Sequence, residues 1–206
     1  DAADFWILGD SASRIKRNGA VVYESLLENT TGLAILRELE EMQLGHTLIA
    51  CTKEAAMIKN DLSPEESAAV RRSYKKVITV ADFGAIEDDF IKITVRDMQE
   101  RCIQTAEKLA NYRDRAHIVA SEKAWLDITD LNVHKGSTVA HLQELLQVTP
   151  EETMVFGDGM NDVEMMKSGR YSFAVRNAYP IIKDTAAFIT GRTNDEDAVS
   201  HTILQL

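Results

Sequence analysis

What this sequence lacks narrows its class. It has only two cysteines, Cys51 and Cys102, and neither stands in a Cys-x-x-Cys spacing. That argues against a zinc site or a disulfide framework and suits a reducing cytoplasm. Each cysteine reads best as a small buried apolar side chain. No apolar run approaches the roughly 18 residues that a membrane helix needs, so no membrane partner is expected. The first residues, Asp1-Ala2-Ala3-Asp4, lack the basic start of a secretory signal. Positive charge is scarce: 23 Lys and Arg against 33 Asp and Glu leave a net charge of -10. A phosphate backbone needs clustered Lys and Arg, so nucleic acid is not the expected partner. Small phosphorylated substrates stay open, because one lysine, a few amides and a metal ion can hold them. There is no internal repeat and no low-complexity segment, and nothing points to an oligomeric state.

What is present is an alternation of strand-like and helix-like segments, the pattern of an α/β protein. Phe5-Trp6-Ile7-Leu8 reads as a short buried strand, and Asn18-Gly19 as a turn before Ala20-Val21-Val22-Tyr23. Leu33, Leu36, Leu39 and Met42 recur on one helical face, with Gly45 as the stop and a strand from His46 to Cys51. Ser63-Pro64-Glu65-Glu66 reads as a helix start with a capping box. Strands are predicted at 77–80 and 91–95, a helix through Ile103, Ala106 and Leu109, and a hairpin over 116–120 and 123–128. The middle of the chain thus predicts two helices packed on an antiparallel sheet. In the last third, Ser137 and Thr138 can cap a helix carrying Val139, Leu142, Leu145 and Leu146. Strands at 153–156, 172–175 and 187–190, with a short helix to Lys167 and a stop at Gly169, predict a doubly wound parallel sheet.

In such sheets ligands bind beyond the carboxyl ends of the strands. Gly157-Asp158-Gly159-Met160-Asn161-Asp162 falls at that place. Asp158 and Asp162 offer hard carboxylate oxygens that suit magnesium, which takes one or two carboxylates with waters and a substrate phosphate. The glycines let the backbone turn sharply and approach a ligand. Asn161 can cap a short helix from Asp162 and can also donate to a phosphate oxygen. A plain polar turn is the alternative for a lone Asp-Gly, but the whole six-residue loop on a strand end favours the metal and phosphate site. Lys135, in His134-Lys135-Gly136-Ser137, stands just before a helix start and can reach the same cleft. His134 reads as a surface or packing residue, and so do His46, His117, His141 and His201.

Lys135-Gly136, a helix, and then Val155-Phe156-Gly157-Asp158-Gly159-Met160-Asn161-Asp162 together resemble the C-terminal half of the haloacid dehalogenase-like superfamily, in particular its Cof-type sugar-phosphate phosphatases. Ala174-Val175-Arg176-Asn177-Ala178, the stretch Lys183 to Thr190, Thr193 to Val199, and Asn18-Gly19-Ala20 extend the resemblance over essentially the whole chain. It implies an α/β fold: a doubly wound parallel-sheet core from residues 1–30 and 130–206, with an inserted α+β cap over 31–129. It also implies a magnesium-dependent phosphatase acting on small phosphoesters through an aspartyl-phosphate. Lys135 would steady the nucleophile and phosphoryl group. Asp158 would bind the metal, and Asp162 would support the metal or its waters. Asn161 would lie near the phosphate. For Asn18 a cleft-lining role and a plain turn role both stay open.

Two motifs of that family are absent. One is Asp-x-Asp-Gly-Thr, which carries the nucleophile and the general acid; the other is a Ser or Thr that binds phosphate. Glu87-Asp88-Asp89, Asp127 to Asp130 and Asp195-Glu196-Asp197 do not fit the first motif, and Gly9-Asp10-Ser11-Ala12-Ser13 has no second aspartate at position 12. A fragment of a longer protein is the expectation, because the missing strand would be central to the sheet and its loss would expose edges and apolar surface. A degenerate, non-catalytic member with a binding or regulatory role is the alternative. A cation-transporting ATPase shares the acidic loop, but its Asp-Lys-Thr-Gly motif is absent. A phosphomutase or sucrose-phosphate phosphatase stays open within the superfamily.

Overall fold

The computed structural model describes residues 5–205, and the chain divides into two compact units between Val133 and His134. The first unit opens with an antiparallel ribbon of β1 (Trp6–Gly9), β2 (Arg14–Arg17) and β3 (Ala20–Glu24). Asn18 and Gly19 join β2 to β3 at φ of 51° and 81°, the left-handed pair that a tight hairpin needs. β1 is not the buried strand expected: Phe5 is 70% exposed and Ile7 49%, and among the described residues β1 pairs only with β2.

The ribbon leads to α1 (Asn29–Glu41), β4 (Thr47–Cys51), β5 (Ala56–Lys59), α2 (Pro64–Ser73), β6 (Val77–Val80), β7 (Lys92–Arg96), α3 (Cys102–Lys108), β8 (Ala116–Glu122) and β9 (Trp125–Asp130). The six strands form one sheet in the order β6-β5-β4-β7-β9-β8. The expected antiparallel sheet is found except at one edge, where β5 and β6 run parallel because α2 crosses between them. Three helices rather than two cover it. Leu48 and Ala50 of β4 join the core formed with α1 and α3, while Ile49 and Cys51 join the cluster containing Val70 of α2. Every residue of β4 is therefore buried. Ser63 and Glu66 close the expected capping box on α2. α1 stops at Glu41, and the chain turns through Gln43 and Gly45 at positive φ. Both cysteines are free and buried, and burial pushes each thiol up to about 11.

Asp97, 1% exposed, holds the start of α3. Its Oδ1 accepts from the Gln99 amide at 2.9 Å, and its Oδ2 accepts from Arg101 Nε at 2.7 Å. The Arg101 guanidinium beside it holds its carboxyl down to about 2, against an ordinary value of 3.8. His46 Nε2 lies 3.6 Å from Asp97, and burial pushes that imidazole below its ordinary value despite the carboxylate. A carboxyl depressed by folding stabilises above its unfolded value and loses that contribution as pH falls towards its folded value. Asp97→Asn is therefore expected to cost about 2 kcal/mol at pH 7, with the difference from wild type closing between about pH 4 and pH 2 in urea titrations. A gap that stays constant over that window would contradict this account.

The second unit contains α4 (Lys135–Leu146), β10 (Met154–Gly157), α5 (Val163–Met166), β11 (Tyr171–Ala174), α6 (Pro180–Thr185), β12 (Phe188–Ile189) and α7 (Ala198–Ile203). β10, β11 and β12 form the parallel sheet expected for this segment. Register places Phe156, Phe173 and Phe188 side by side, with ring centroids 5.1 and 5.0 Å apart. Val155, Met166, Ala174 and Ile182 are in the core. Buried Gln143 of α4 donates to Thr153 Oγ1 at 2.8 Å and to the Ser168 carbonyl at 2.7 Å. That pins the helix to both ends of the β10–α5 segment.

Candidate active site

The acidic loop begins where β10 ends. The sequence predicts that Ser137 or Thr138 caps α4, but His134 is the cap. Its Nδ1 accepts from the Ser137 amide at 3.1 Å, and Ser137 Oγ accepts from the His134 amide at 3.0 Å. Lys135 is therefore the first residue of the helix rather than a residue before it. Gly136 then lets α4 lie directly on α5: a Cβ there would stand 2.6 Å from the Glu164 carbonyl oxygen. This close approach brings Lys135 to the loop.

Asp162 is the loop's organiser. It is 2% exposed. Its Oδ2 accepts from the amides of Asp158 at 2.9 Å and Gly159 at 3.0 Å, and its Oδ1 accepts from Lys135 Nζ at 2.5 Å. Both oxygens are thus engaged within the chain. The glycine at 157 answers to this crowding, not to a left-handed turn. Its φ is not positive, and an added Cβ would meet the Asp162 Cβ at 2.7 Å and Oδ2 at 2.8 Å. Gly159 likewise has a negative φ, -98°.

Asp158 is placed differently. It is exposed, and among the described residues its carboxylate accepts only a long bond, 3.4 Å, from Asn194 Nδ2. Its carbonyl accepts from the Tyr179 amide at 3.1 Å. Asn194 is in turn held by Asn177, whose Nδ2 donates to Asn194 Oδ1 at 2.7 Å and whose Oδ1 accepts from the Asn194 amide at 3.2 Å. Arg176 pairs with Glu196 at 2.8 Å and clamps the same two loops. Asn177 and Asn194 both fall in segments that resemble the family, but asparagine in a polar loop looks like a turn residue, so the sequence alone assigns neither a role.

Asn161 sits half-buried in a 3₁₀ turn from Met160 to Asp162, so the α-helix begins one residue later than expected, at Val163. Its side chain has no hydrogen-bond partner among the described residues. The structure thus brings Lys135, Asp158 and Asp162 together around one loop, with Asn161 on it. Asn18 forms the hairpin turn of the first unit. Among the described residues, no cluster of three His, Cys, Asp or Glu side chains can hold a metal ion unaided. Asp158 offers one carboxylate held by no more than a long bond from Asn194 among the described residues, which fits the sparse protein shell of magnesium.

A family model described as haloacid dehalogenase-like hydrolase matches residues 12–203. The chain belongs to this family. Among curated relatives it is similar to the 5-amino-6-(5-phospho-D-ribitylamino)uracil phosphatase YbjI of Escherichia coli, at 29% identity over 150 residues, 72% of this chain and 55% of that protein. It is also similar to the Bacillus subtilis phosphatase of the same description, YcsE, at 36% identity over 86 residues, 42% of this chain and 34% of that protein. The matched stretches thus span about half or less of these relatives' lengths. Among solved structures it resembles SMU.1108c of Streptococcus mutans, with a TM-score of 0.90 and 24% identity, over 98% of this chain and 77% of that one. That likeness shows the haloacid dehalogenase-like fold, the class expected from the sequence.

Proposed function

We propose that the acidic loop is the metal and phosphate half of a magnesium-dependent phosphatase acting on small phosphoesters such as sugar phosphates, through an aspartyl-phosphate. The observation that carries the reading is the division of labour between two carboxylates. Asp162 is buried and saturated by Lys135 and two amides, while Asp158 stands exposed with one long contact. A loop that served only as a turn would not need a buried carboxylate, tied to a lysine and two amides, to hold an exposed carboxylate at a strand end. The two named phosphatases among the relatives support the same chemistry.

In this reading Asp158 is the direct magnesium ligand, and Asp162 supports the metal site by holding the loop. Magnesium would neutralise charge on the phosphoryl oxygens. Lys135, held by Asp162 yet 38% exposed, presents its ammonium to nucleophile and phosphate. Asn161, with its side chain uncommitted, donates to a phosphate oxygen. Asn194 and Asn177 keep the Asp158 carboxylate in place. Residues 1–30 and 130–206 belong to the core and 31–129 to a cap that shapes the substrate pocket. The two buried thiols suit a reducing cytoplasm. The nucleophile and general-acid pair of this chemistry is not among these 206 residues. That absence favours one other reading, a non-catalytic member that binds through the same loop.

Magnesium titration and phosphatase assays test both readings. The 206-residue chain is expected to bind magnesium without turning over sugar phosphates or p-nitrophenyl phosphate. A longer form bearing an Asp-x-Asp-Gly-Thr segment is expected to hydrolyse them. Asp158→Asn is expected to weaken magnesium binding by about tenfold or more, the loss of one charged ligand at about 1.4 kcal/mol per decade. It is also expected to remove most activity of the longer form. Undiminished magnesium affinity in that variant would defeat the metal assignment, and robust turnover by the 206-residue chain would defeat the need for an external nucleophile.

A further inference from the structure

A cavity of about 290 Å³ opens in the first unit where α1 ends, β4 begins and β5 runs on towards α2. That volume is at the small end of ligand sites. Leu39, Leu44, Leu48 and Leu62 give it an apolar wall, and Leu39 and Leu48 belong to the core shared with α1 and α3. Its charged side chains are Glu40, Lys59 and Asp61. Lys59 pairs with Glu40 at 3.1 Å and lies 5.7 Å from the centroid of the Phe83 ring. Asp61 is exposed and has no ionic partner among the described residues. Its charge is left unbalanced.

Two further features of the lining ask for a cation that donates hydrogen bonds. The first is the end of α1, a 13-residue helix whose last turn carries Glu38, Glu40 and Glu41 and no base. A helix C-terminus bears partial negative charge and favours cations, so these glutamates add to the dipole instead of opposing it. Arg101 donates to the Leu44 carbonyl at 2.5 Å, but its charge is already matched by Asp97. The second feature is His46, which lines the cavity. Its side chain is 1% exposed, and its Nδ1 is buried with no hydrogen-bond partner among the described residues. Nε2 faces Thr105 Oγ1 at 3.3 Å and the Asp97 carboxylate at 3.6 Å. A carboxylate can only accept, so the ring proton belongs on Nε2, and Nδ1 is left as an acceptor. Burial keeps the ring neutral, and Arg101 and Lys108 also oppose its protonation against the pull of Asp97. A buried acceptor without a donor is costly, and a ligand N–H at this wall removes that cost.

A bare metal ion does not suit the place, because among the described residues no cluster of three His, Cys, Asp or Glu side chains can hold one. An ammonium group has three donors and no acceptor, and the leucine wall can take a short alkyl chain. We infer that this cavity binds a small primary alkylammonium ion, its charged head between Asp61 and the last turn of α1 with one N–H given to His46 Nδ1, and its alkyl part against the leucines. The site shares no residue with the acidic loop, and its ligand is a cation, so it stands or falls independently of the phosphatase reading.

Titration of the whole chain with n-butylammonium chloride tests it, at neutral pH in an amine-free buffer, read by proton–nitrogen NMR of the histidine side chains. The His46 Nδ1 resonance is expected to shift saturably from the position of a free acceptor towards that of a hydrogen-bonded one. Butanol is expected to bind more weakly for want of charge, and the ammonium ion more weakly for want of the apolar contact. Asp61→Lys sets a like charge at the site and is expected to weaken binding about tenfold or more. That position is exposed, so the fold is retained, which circular dichroism verifies. No saturable binding, an unmoved His46 Nδ1 resonance, equal binding of butanol or of the ammonium ion, or an unaltered affinity in Asp61→Lys would each overturn the inference.

Discussion

Asp162→Ala is expected to destabilise the second unit by about 3 kcal/mol, the sum of two charge-assisted amide bonds and part of an ion pair. The amides dominate. The Lys135 side chain is 38% exposed and can rehydrate once its partner is gone, whereas the Asp162 side chain is 3% exposed and its amide donors lie in the turn it organises. The variant leaves the Asp158 and Gly159 amides without their acceptor and opens a small void beneath Gly157. Asp162→Asn keeps an acceptor but points an amide group at either Lys135 or the loop, so an intermediate loss is expected. Urea unfolding reads the stability, and loss of hydrogen-exchange protection at the Asp158 and Gly159 amides reads the loop. A change below about 0.5 kcal/mol, the usual scale of an inconsequential surface substitution, would show that Asp162 does not organise the loop.

Gly136→Ala sets two effects against each other. Alanine is the better helix former by about 1 kcal/mol, so helix propensity alone predicts a gain. The new methyl, however, would stand 2.6 Å from the Glu164 carbonyl oxygen and 2.7 Å from its carbon. These are backbone atoms, which cannot rotate aside, so α4 and α5 must separate. Overpacking of this kind costs about 1–3 kcal/mol, and here it outweighs propensity. Lys135 moves with α4, so the Lys135–Asp162 pair is lengthened as well. The expected result is net destabilisation and, on the proposed phosphatase reading, weaker phosphate binding at the acidic loop. Gly191→Ala is the control, because its added Cβ would meet nothing within 4 Å, and it is expected to be near neutral. A stabilised Gly136→Ala protein would show that the helices can part without cost.

Much of the second unit is legible in the sequence. Val155 and Phe156 running into Gly157-Asp158 mark a strand end, and Lys135 one helix upstream marks a cation bound for the same place. Those are local patterns, set by hydrophobic period and turn chemistry. The capping box at Ser63 and the hairpin turn at Asn18-Gly19 are equally local, and both are found. Other features were not legible. β5 and β2 are short, and Arg14–Arg17 is polar, so neither shows a clear strand period. His134 caps a helix because its ring lies against the Ser137 amide, which residue preferences for capping do not anticipate.

By itself the sequence determined the α/β class, the position of the acidic loop and the pairing of chemical types around it, because strand ends, helix starts and carboxylate spacing are written in near neighbours. The tertiary structure alone decided which carboxylate is buried and which is free. That difference depends on contacts across 27 residues from Asp162 to Lys135 and 36 from Asp158 to Asn194. Two aspartates four positions apart look alike in a sequence; only the packing of α4 on α5, and of the Asn177 and Asn194 loops on each other, makes one a holder and leaves the other open.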